Sequence, residues 1–421
     1  MARIAFVVDH EEGHLLSTFK LARQLLERGH AVTYLGLEDS GPMVTSQGFD
    51  FVPILSQYFP RGSAGRWRSK GVAAADARQD EPTAHEFYDQ YLGRLARGEG
   101  LDGPVQSVKP DLFLLNSIMA ANALVLHYRF DRPIILLTPH LRIASRQEMI
   151  NDLEGTMMRM SSAIIGLSEL VRRKKPTARR LRDITAPMLL MPELVQCPRE
   201  FDLPRATEEP EPGVHFIEPS LDLSRRDERP FPWERIDPAK KLLYVSLGSQ
   251  GHLAGRQTAS AFLRAVAEGA ASRPEWQLVL STSGVVDAAD LPLPGDALAF
   301  PWIPQIPVLE RTSLMVNHGG TGTVKECIFL GVPMVSYPIG RDQPETVRRV
   351  VHHGLGLGGE LAGATAEGIF SLIEQVDREP RFRENVERMR RCFHAAEEAQ
   401  LGVKVIEETL ERSAVHSSAG G

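Results

Sequence analysis

Cysteine is scarce in this 421-residue chain: Cys197, Cys327 and Cys392 lie far apart, with no C-x-x-C pair. That spacing builds neither a zinc ribbon nor a disulfide scaffold, and it suits the reducing cytosol. Long apolar runs are missing as well. No window approaches the roughly 18 uninterrupted apolar residues that a membrane helix needs. The opening MARIAFVVDHEEGH carries one early basic residue and a short apolar run broken at Asp9, the pattern of a first strand and not of a signal peptide. Positive charge is not in excess either; a net charge of −6 argues against a nucleic-acid binder. Low-complexity tracts and short-period repeats are absent. What is present, 24% charged and 43% hydrophobic residues, describes an ordinary soluble globule. The length fits two domains of about 200 residues each.

Strand-length apolar runs alternate with helical stripes. Arg3–Val8 reads as a buried strand, and Leu15, Phe19, Ala22 and Leu26 form one stripe of a helix from His14 to Arg28, which Gly29 stops. Ala31–Gly36 is a second strand, Gly41–Gln47 a helix and Phe49–Ile54 a third strand. This order, with short connections, predicts a parallel doubly wound sheet. Residues 56–82 have no period and predict a long loop. A helix over Glu86–Arg97, strands over Asp111–Leu115 and Pro133–Leu137, an apolar helix over Ser117–His127 between them, and Met- and Leu-rich helices over Ile150–Arg173 follow in a first domain at 1–215. Met149, Met157, Met158 and Met160 suit a core or the lining of a large apolar pocket. Composition shifts to Glu, Pro, Asp and Arg over Arg205–Asp237, which places a linker at 216–238. The strand pattern restarts at Lys241–Leu247, with a helix at Thr258–Ala271 and a strand at Gln277–Ser281, in a second domain at 239–395. Helices over Ala366–Gln375, Pro380–Ala395 and Gly402–Glu411 precede a frayed tail at 414–421. The GLGLGG run from Gly354 follows a helix, so it reads as a helix stop entering an edge strand and not as a dinucleotide fingerprint.

The richest stretch runs from Trp302 to Gln343, WIPQIPVLERTSLMVNHGGTGTVKECIFLGVPMVSYPIGRDQ. It predicts a strand at Leu314–Asn317, a glycine-rich turn, a helix opening at Thr321 and a strand at Val332–Ser336. A flat indole can stack on a base. A Gly-Gly-Thr-Gly-Thr turn at a helix start offers backbone N–H groups and hydroxyls to a diphosphate. Glu326, one turn on, can hold ribose hydroxyls, and Asp342-Gln343 can grip a hexose. An ordinary βαβ unit with a glycine turn would explain the apolar runs but not the ordered polar residues. Trp302, Gln305, His318, Gly320, Thr323, Glu326, Gly331-Val332-Pro333 and Asp342-Gln343 stand in the order and register of the donor-binding signature of family-1 glycosyltransferases, which this segment closely resembles.

The resemblance implies the GT-B fold, an α/β architecture of two Rossmann-like β/α/β domains facing a cleft, with a last helix at 396–413 crossing back onto the first domain. It implies an inverting transferase that moves a hexose from a nucleotide sugar, UDP-glucose by the Gln ending, to a hydroxyl or carboxyl group of a lipophilic small molecule. A microbial tailoring enzyme of secondary metabolism fits the plain HGGTGT form. By the same resemblance Trp302 lies against uracil, with Ile303 offering backbone bonds to it. His318, Gly320, Gly322, Thr323 and Ser249 serve the diphosphate, Glu326 the ribose, and Asp342 and Gln343 the hexose; Thr346 replaces the family's Asn. No Asp-x-Asp motif is present, and neither metal nor other cofactor is expected beside the nucleotide-sugar co-substrate. GHLLSTFKLARQLLERGHAVTYL resembles the family's first βα unit and implies His14 as general base. A helix start disfavours imidazolium, which keeps the ring neutral and able to accept a proton. Here the chain departs from the family. Pro110-Asp-Leu-Phe-Leu-Leu-Asn116 places Asn116 where an aspartate usually orients that ring. An amide can hold the tautomer without charge, which suits an acidic acceptor such as a phenol or carboxylate; alternatively Asp9 or Glu12 supplies the charge. His10 and His30 are read as ordinary polar residues.

Three rivals stay open: a dTDP-deoxysugar transferase, a silent nucleotide-sugar-binding partner protein, and an epimerase of the same fold. The basic runs Arg172-Arg173-Lys174-Lys175 and Arg179-Arg180 read as a solvated helix surface or as peripheral attraction to an anionic membrane or acceptor. Oligomeric state is not encoded in any pattern found.

Overall fold

The computed structural model describes residues 1–9, 11–63, 84–142, 144–203, 211–224, 229–249 and 251–419. His10 and most of the loop predicted at 56–82 lie outside them.

Thirteen strands among these residues form two sheets in which every neighbouring pair is parallel. The first holds β1 (Arg3–Val7), β2 (Ala31–Gly36), β3 (Asp50–Pro53), β4 (Leu112–Asn116), β5 (Ile134–Thr138), β6 (Glu193–Val195) and β7 (Val214–Phe216), in the order β3-β2-β1-β4-β5-β6-β7. The second holds β8 (Lys241–Ser246), β9 (Trp276–Ser281), β10 (Leu298–Phe300), β11 (Leu314–Asn317), β12 (Met334–Ser336) and β13 (Gly356–Gly358), in the order β10-β9-β8-β11-β12-β13. Each is doubly wound. The order reverses between β1 and β4 in one sheet and between β8 and β11 in the other, and a crevice at the carboxyl ends of those strands is where such sheets bind ligands.

The central strands are apolar throughout because helices cover both faces. One side of the first sheet buries Val7, Phe113, Leu115 and Leu136 against Leu124 and Leu167. The other buries Phe6, Leu114 and Leu137 with Phe19 and Leu25 of the first helix, Glu12–Glu27. In the second sheet Val245, Leu280 and Val316 pack against Phe262 and Phe370. The GLGLGG run does end a helix and enter an edge strand, β13.

Contacts divide the chain into one unit of Met1–Gln196, Ala206–Asp222 and Gln400–Gly421, and another of Cys197–Arg205 and Leu223–Ala399. The predicted linker at 216–238 is therefore not a single hand-over. The backbone passes from unit to unit after Gln196, Arg205, Asp222 and Ala399. Two three-residue strands, β6 and β7, are too short to carry a period, and β6 begins with a buried acid. Glu193 accepts from Thr138 Oγ1 at 2.8 Å and from Arg142 Nε at 3.2 Å. Arg349 holds Asp202 within the second unit, donating from Nη2 to Asp202 Oδ1 at 2.7 Å.

The last helix runs Leu401–Ala419, past the tail expected to fray from 414. Val403 and Ile406 are buried in the first unit's core, and Glu218 accepts the Gly402 N–H at 3.0 Å. Arg28 donates to Glu407 at 3.2 and 2.9 Å. Burial of each aliphatic side chain contributes about 2 kcal/mol to holding this helix on the first unit's core.

Candidate active site

At the order reversal of the first sheet, β1 ends and the chain turns through Asp9 into the first helix. Asp9 Oδ1 accepts the Glu11 N–H at 2.8 Å, which aims its other oxygen, Oδ2, at His14 Nδ1, 2.7 Å away. Ser40 Oγ donates to the Asp9 carbonyl at 3.0 Å, tying this turn to the end of β2. His14 is the third residue of its helix, with a side chain 24% exposed against 13% for Asp9. A carboxylate on Nδ1 fixes the tautomer and makes Nε2 the atom that can take a proton. The helix N-terminus and the carboxylate act in opposite senses on a protonated ring.

Asn116, expected to orient that ring, has another task. It ends β4 and caps the following turn, its Oδ1 accepting the Ile118 N–H at 3.2 Å. A side chain that caps its own turn is held by local geometry, while Asp9 reaches His14 through five residues of one loop. The ionic partner thus sits in the turn that follows the neighbouring strand, β1. Asn116 Nδ2 is buried without a partner.

At the matching reversal of the second sheet, β11 ends in Asn317 and the turn His318-Gly319-Gly320 leads into the helix Thr321–Leu330. Asn317 Oδ1 accepts from Gly319 N at 2.8 Å and Ser336 Oγ at 2.9 Å, pinning the turn between β11 and β12. The His318 ring lies between two glycines. A β-carbon at Gly248, whose φ is +68°, or at Gly320 would overlap the imidazole. Burial lowers its pKa to about 4, with Asp342 pulling weakly the other way, so the ring is neutral near pH 7. The helix has no side-chain cap at Gly320, and Gly322 has open space where a β-carbon would stand. Its first N–H groups are thus presented as an anion site. His318 Nδ1, Asn317 Nδ2, Thr282 Oγ1 and Ser283 Oγ are buried along this rim without hydrogen-bond partners. Ser249 is exposed just past β8.

Trp302 is 45% exposed on the loop after β10, and Ile303 behind it is buried. Gln305 ties this loop to the turn. Its Nε2 donates to Glu326 Oε2 at 2.5 Å and to Thr323 Oγ1 at 3.4 Å, and its Oε1 accepts from Tyr244 Oη at 3.3 Å. Asp342 Oδ2 accepts from Thr321 Oγ1 at 3.2 Å, and Thr321 also meets Thr346 Oγ1 at 3.0 Å. Gln343 is 2% exposed, and its Oε1 accepts from Ile339 N at 2.7 Å and Gly340 N at 3.2 Å. It straps the loop that carries Asp342.

Hydrogen bonds thus link Gln305 to Thr323 and Glu326, and Thr321 to Asp342, around the turn at the end of β11 in the second unit, and His14 stands at the corresponding reversal of the first. Sequence reasoning gave Asp9 only as an alternative and passed over Thr282, Ser283 and Asn317. A polar Ser-Thr-Ser after a strand was the available signal. Among the described residues no group of three or more His, Cys, Asp or Glu could hold a metal ion, and no helix is long and apolar enough to cross a membrane.

Residues 232–401 match the family model described as UDP-glucoronosyl and UDP-glucosyl transferase. Demethyllactenocin mycarosyltransferase of Streptomyces fradiae is 28% identical over 98% of this chain and 88% of its own length. The NDP-glycosyltransferase YjiC of Bacillus subtilis is 23% identical over 96% of both chains. A crystal structure of the glycotransferase of kitacinnamycin superposes with a TM-score of 0.73 at 27% identity, covering 97% of this chain and 99% of that one.

Proposed function

The chain belongs to the family-1 glycosyltransferases of the GT-B fold, in their microbial natural-product group, and from that premise we propose an inverting hexosyl transfer in which His14, held by Asp9, is the general base. The acceptor is a hydroxyl or carboxyl group of a lipophilic small molecule. Its oxygen attacks the anomeric carbon as the bond from that carbon to the diphosphate breaks. His14 Nε2 takes the proton, and the Asp9 carboxylate stabilises the imidazolium that results. The departing charge spreads over the N–H groups of the His318–Thr323 turn, the helix dipole and the Thr323 hydroxyl. The neutral His318 ring adds a hydrogen bond instead of a charge. This reading asks for no metal, and turnover in EDTA equal to turnover in added Mg²⁺ is its expected signature.

The 2.7 Å contact between Asp9 and His14 carries the proposal. It supplies the charge that Asn116 cannot, so the acceptor need not be acidic. Trp302 offers a base platform, and Glu326, oriented by Gln305, a ribose anchor. UDP-glucose is the donor that the Asp342-Gln343 ending supports. A second reading takes a dTDP-deoxysugar as donor. The similarity to a mycarosyltransferase favours it, as does the burial of Gln343, whose amide oxygen serves its own loop. A mass-spectrometric screen of UDP- and dTDP-sugars against phenols, carboxylic acids and macrolide alcohols separates the two. Transfer that persists at the parent rate in His14→Ala would remove the base assignment. Absence of transfer with every pair, alongside tight nucleotide binding, would leave a silent binding protein.

A further inference from the structure

Away from both rims, at the amino ends of β5 and β6, the first unit has a hollow of about 580 Å³ walled by His127, Asp131, Arg132, Lys175, Leu190 and Arg412. It adjoins an unusual run of chain. Residues 172–190 contain seven cations (Arg172, Arg173, Lys174, Lys175, Arg179, Arg180 and Arg182) against one acid, in a protein whose net charge is −6. All seven are exposed. The acid, Asp183, is engaged by its own turn, accepting from the N–H groups of Arg179 at 3.0 Å and Arg180 at 2.9 Å. Two leucines close the run. Leu189 is 47% exposed and Leu190 87%, more than any other large apolar side chain described except Met1. Lys175 and Leu190 share the wall of one hollow, so cation and leucine lie on the same patch.

We propose that this patch docks on an anionic phospholipid surface. Exposed cations gain at a negatively charged bilayer, each weakly and together strongly. The leucine pair would dip below the headgroups, where apolar side chains of interfacial segments settle. Arg132 and Lys175 on the wall of the hollow offer positive charge to a phosphate headgroup. Arg412 is engaged by Glu408 at 2.9 Å, and Asp131 opposes the positive wall, so the attraction is carried mainly by the 172–182 cations. A nucleic acid would account for the cations but would leave the leucines in water. The inference uses none of the residues assigned to transfer and stands or falls apart from that reading.

The test is co-sedimentation of the full-length chain with vesicles of phosphatidylcholine, with and without phosphatidylglycerol, at low and high salt. Binding is expected only with phosphatidylglycerol and should fade as salt screens the charges. Replacing Arg172, Arg173 and Lys174 by Ser should weaken it about fivefold for each cation removed. Leu189→Ser with Leu190→Ser should weaken it about tenfold while leaving the salt response in place. Unchanged urea unfolding midpoints in both variants confirm that they fold. Equal binding to neutral vesicles, no binding to anionic ones, or indifference to the triple substitution would overturn the proposal. So would an RNA or DNA duplex bound as tightly as the anionic vesicles and unaffected by loss of the leucines.

Discussion

The two units share a winding order and place their polar residues at the same topological point, yet they arrange different electrostatics there. The first unit's rim is built on a charge. A carboxylate, steered by one backbone N–H, grips an imidazole that is 24% exposed. The second unit's rim avoids charge at its centre. A histidine is buried neutral between two glycines, helix N–H groups stand uncapped, and four buried polar atoms wait without partners. Proton transfer needs a group that titrates, and stabilising a leaving diphosphate needs fixed dipoles that do not. On the proposed reading, the same scaffold serves two tasks by the solvent access it gives one residue type.

That contrast can be broken at either end. His14→Ala should lower the transfer rate about 10³-fold with nucleotide affinity unchanged, which steady-state kinetics and calorimetry check together. The second-unit histidine should register in stability instead. Between pH 6.5 and about 4 the unfolded chain binds a proton on residue 318 that the folded chain refuses, so stability falls as the pH drops, by up to about 3 kcal/mol. Urea unfolding at pH 7 and pH 5 measures this, and His318→Gln should flatten the slope. Gly320→Ala pushes a β-carbon into that ring and should raise the donor KM about tenfold, while the His14-dependent pH–rate profile keeps its shape. Smallest, Trp302→Ala should weaken nucleoside diphosphate binding about fivefold in calorimetry, with no effect on acceptor KM.

The second unit was the more legible half. Its strand, turn, helix and strand are contiguous, so the family resemblance could be carried onto Trp302, Gln305, His318 and Glu326 in one segment, while Gln343 took an unforeseen job inside its own loop. The first unit hid its key contact. The partner of His14 was sought on β4, three-dimensionally adjacent but a hundred residues away, and Asn116 stood there. Asp9 lies five residues before the histidine, and nothing in periodicity tells which way a loop carboxylate turns. The core strands β1, β2 and β11 were read to within a residue because their apolar runs are unbroken. Strands β6 and β7 escaped because three residues carry no period and Glu193 pairs with Arg142 where an apolar residue was to be expected.

The sharpest measurement compares kcat of Asp9→Asn and Asn116→Ala with the parent, donor and acceptor saturating. If the imidazolium depends on the carboxylate bonded to Nδ1, Asp9→Asn should lose about 10³-fold and Asn116→Ala less than about tenfold. The reverse ranking, or equal small losses, would contradict an ionic partner at position 9 and return that role to the amide on β4.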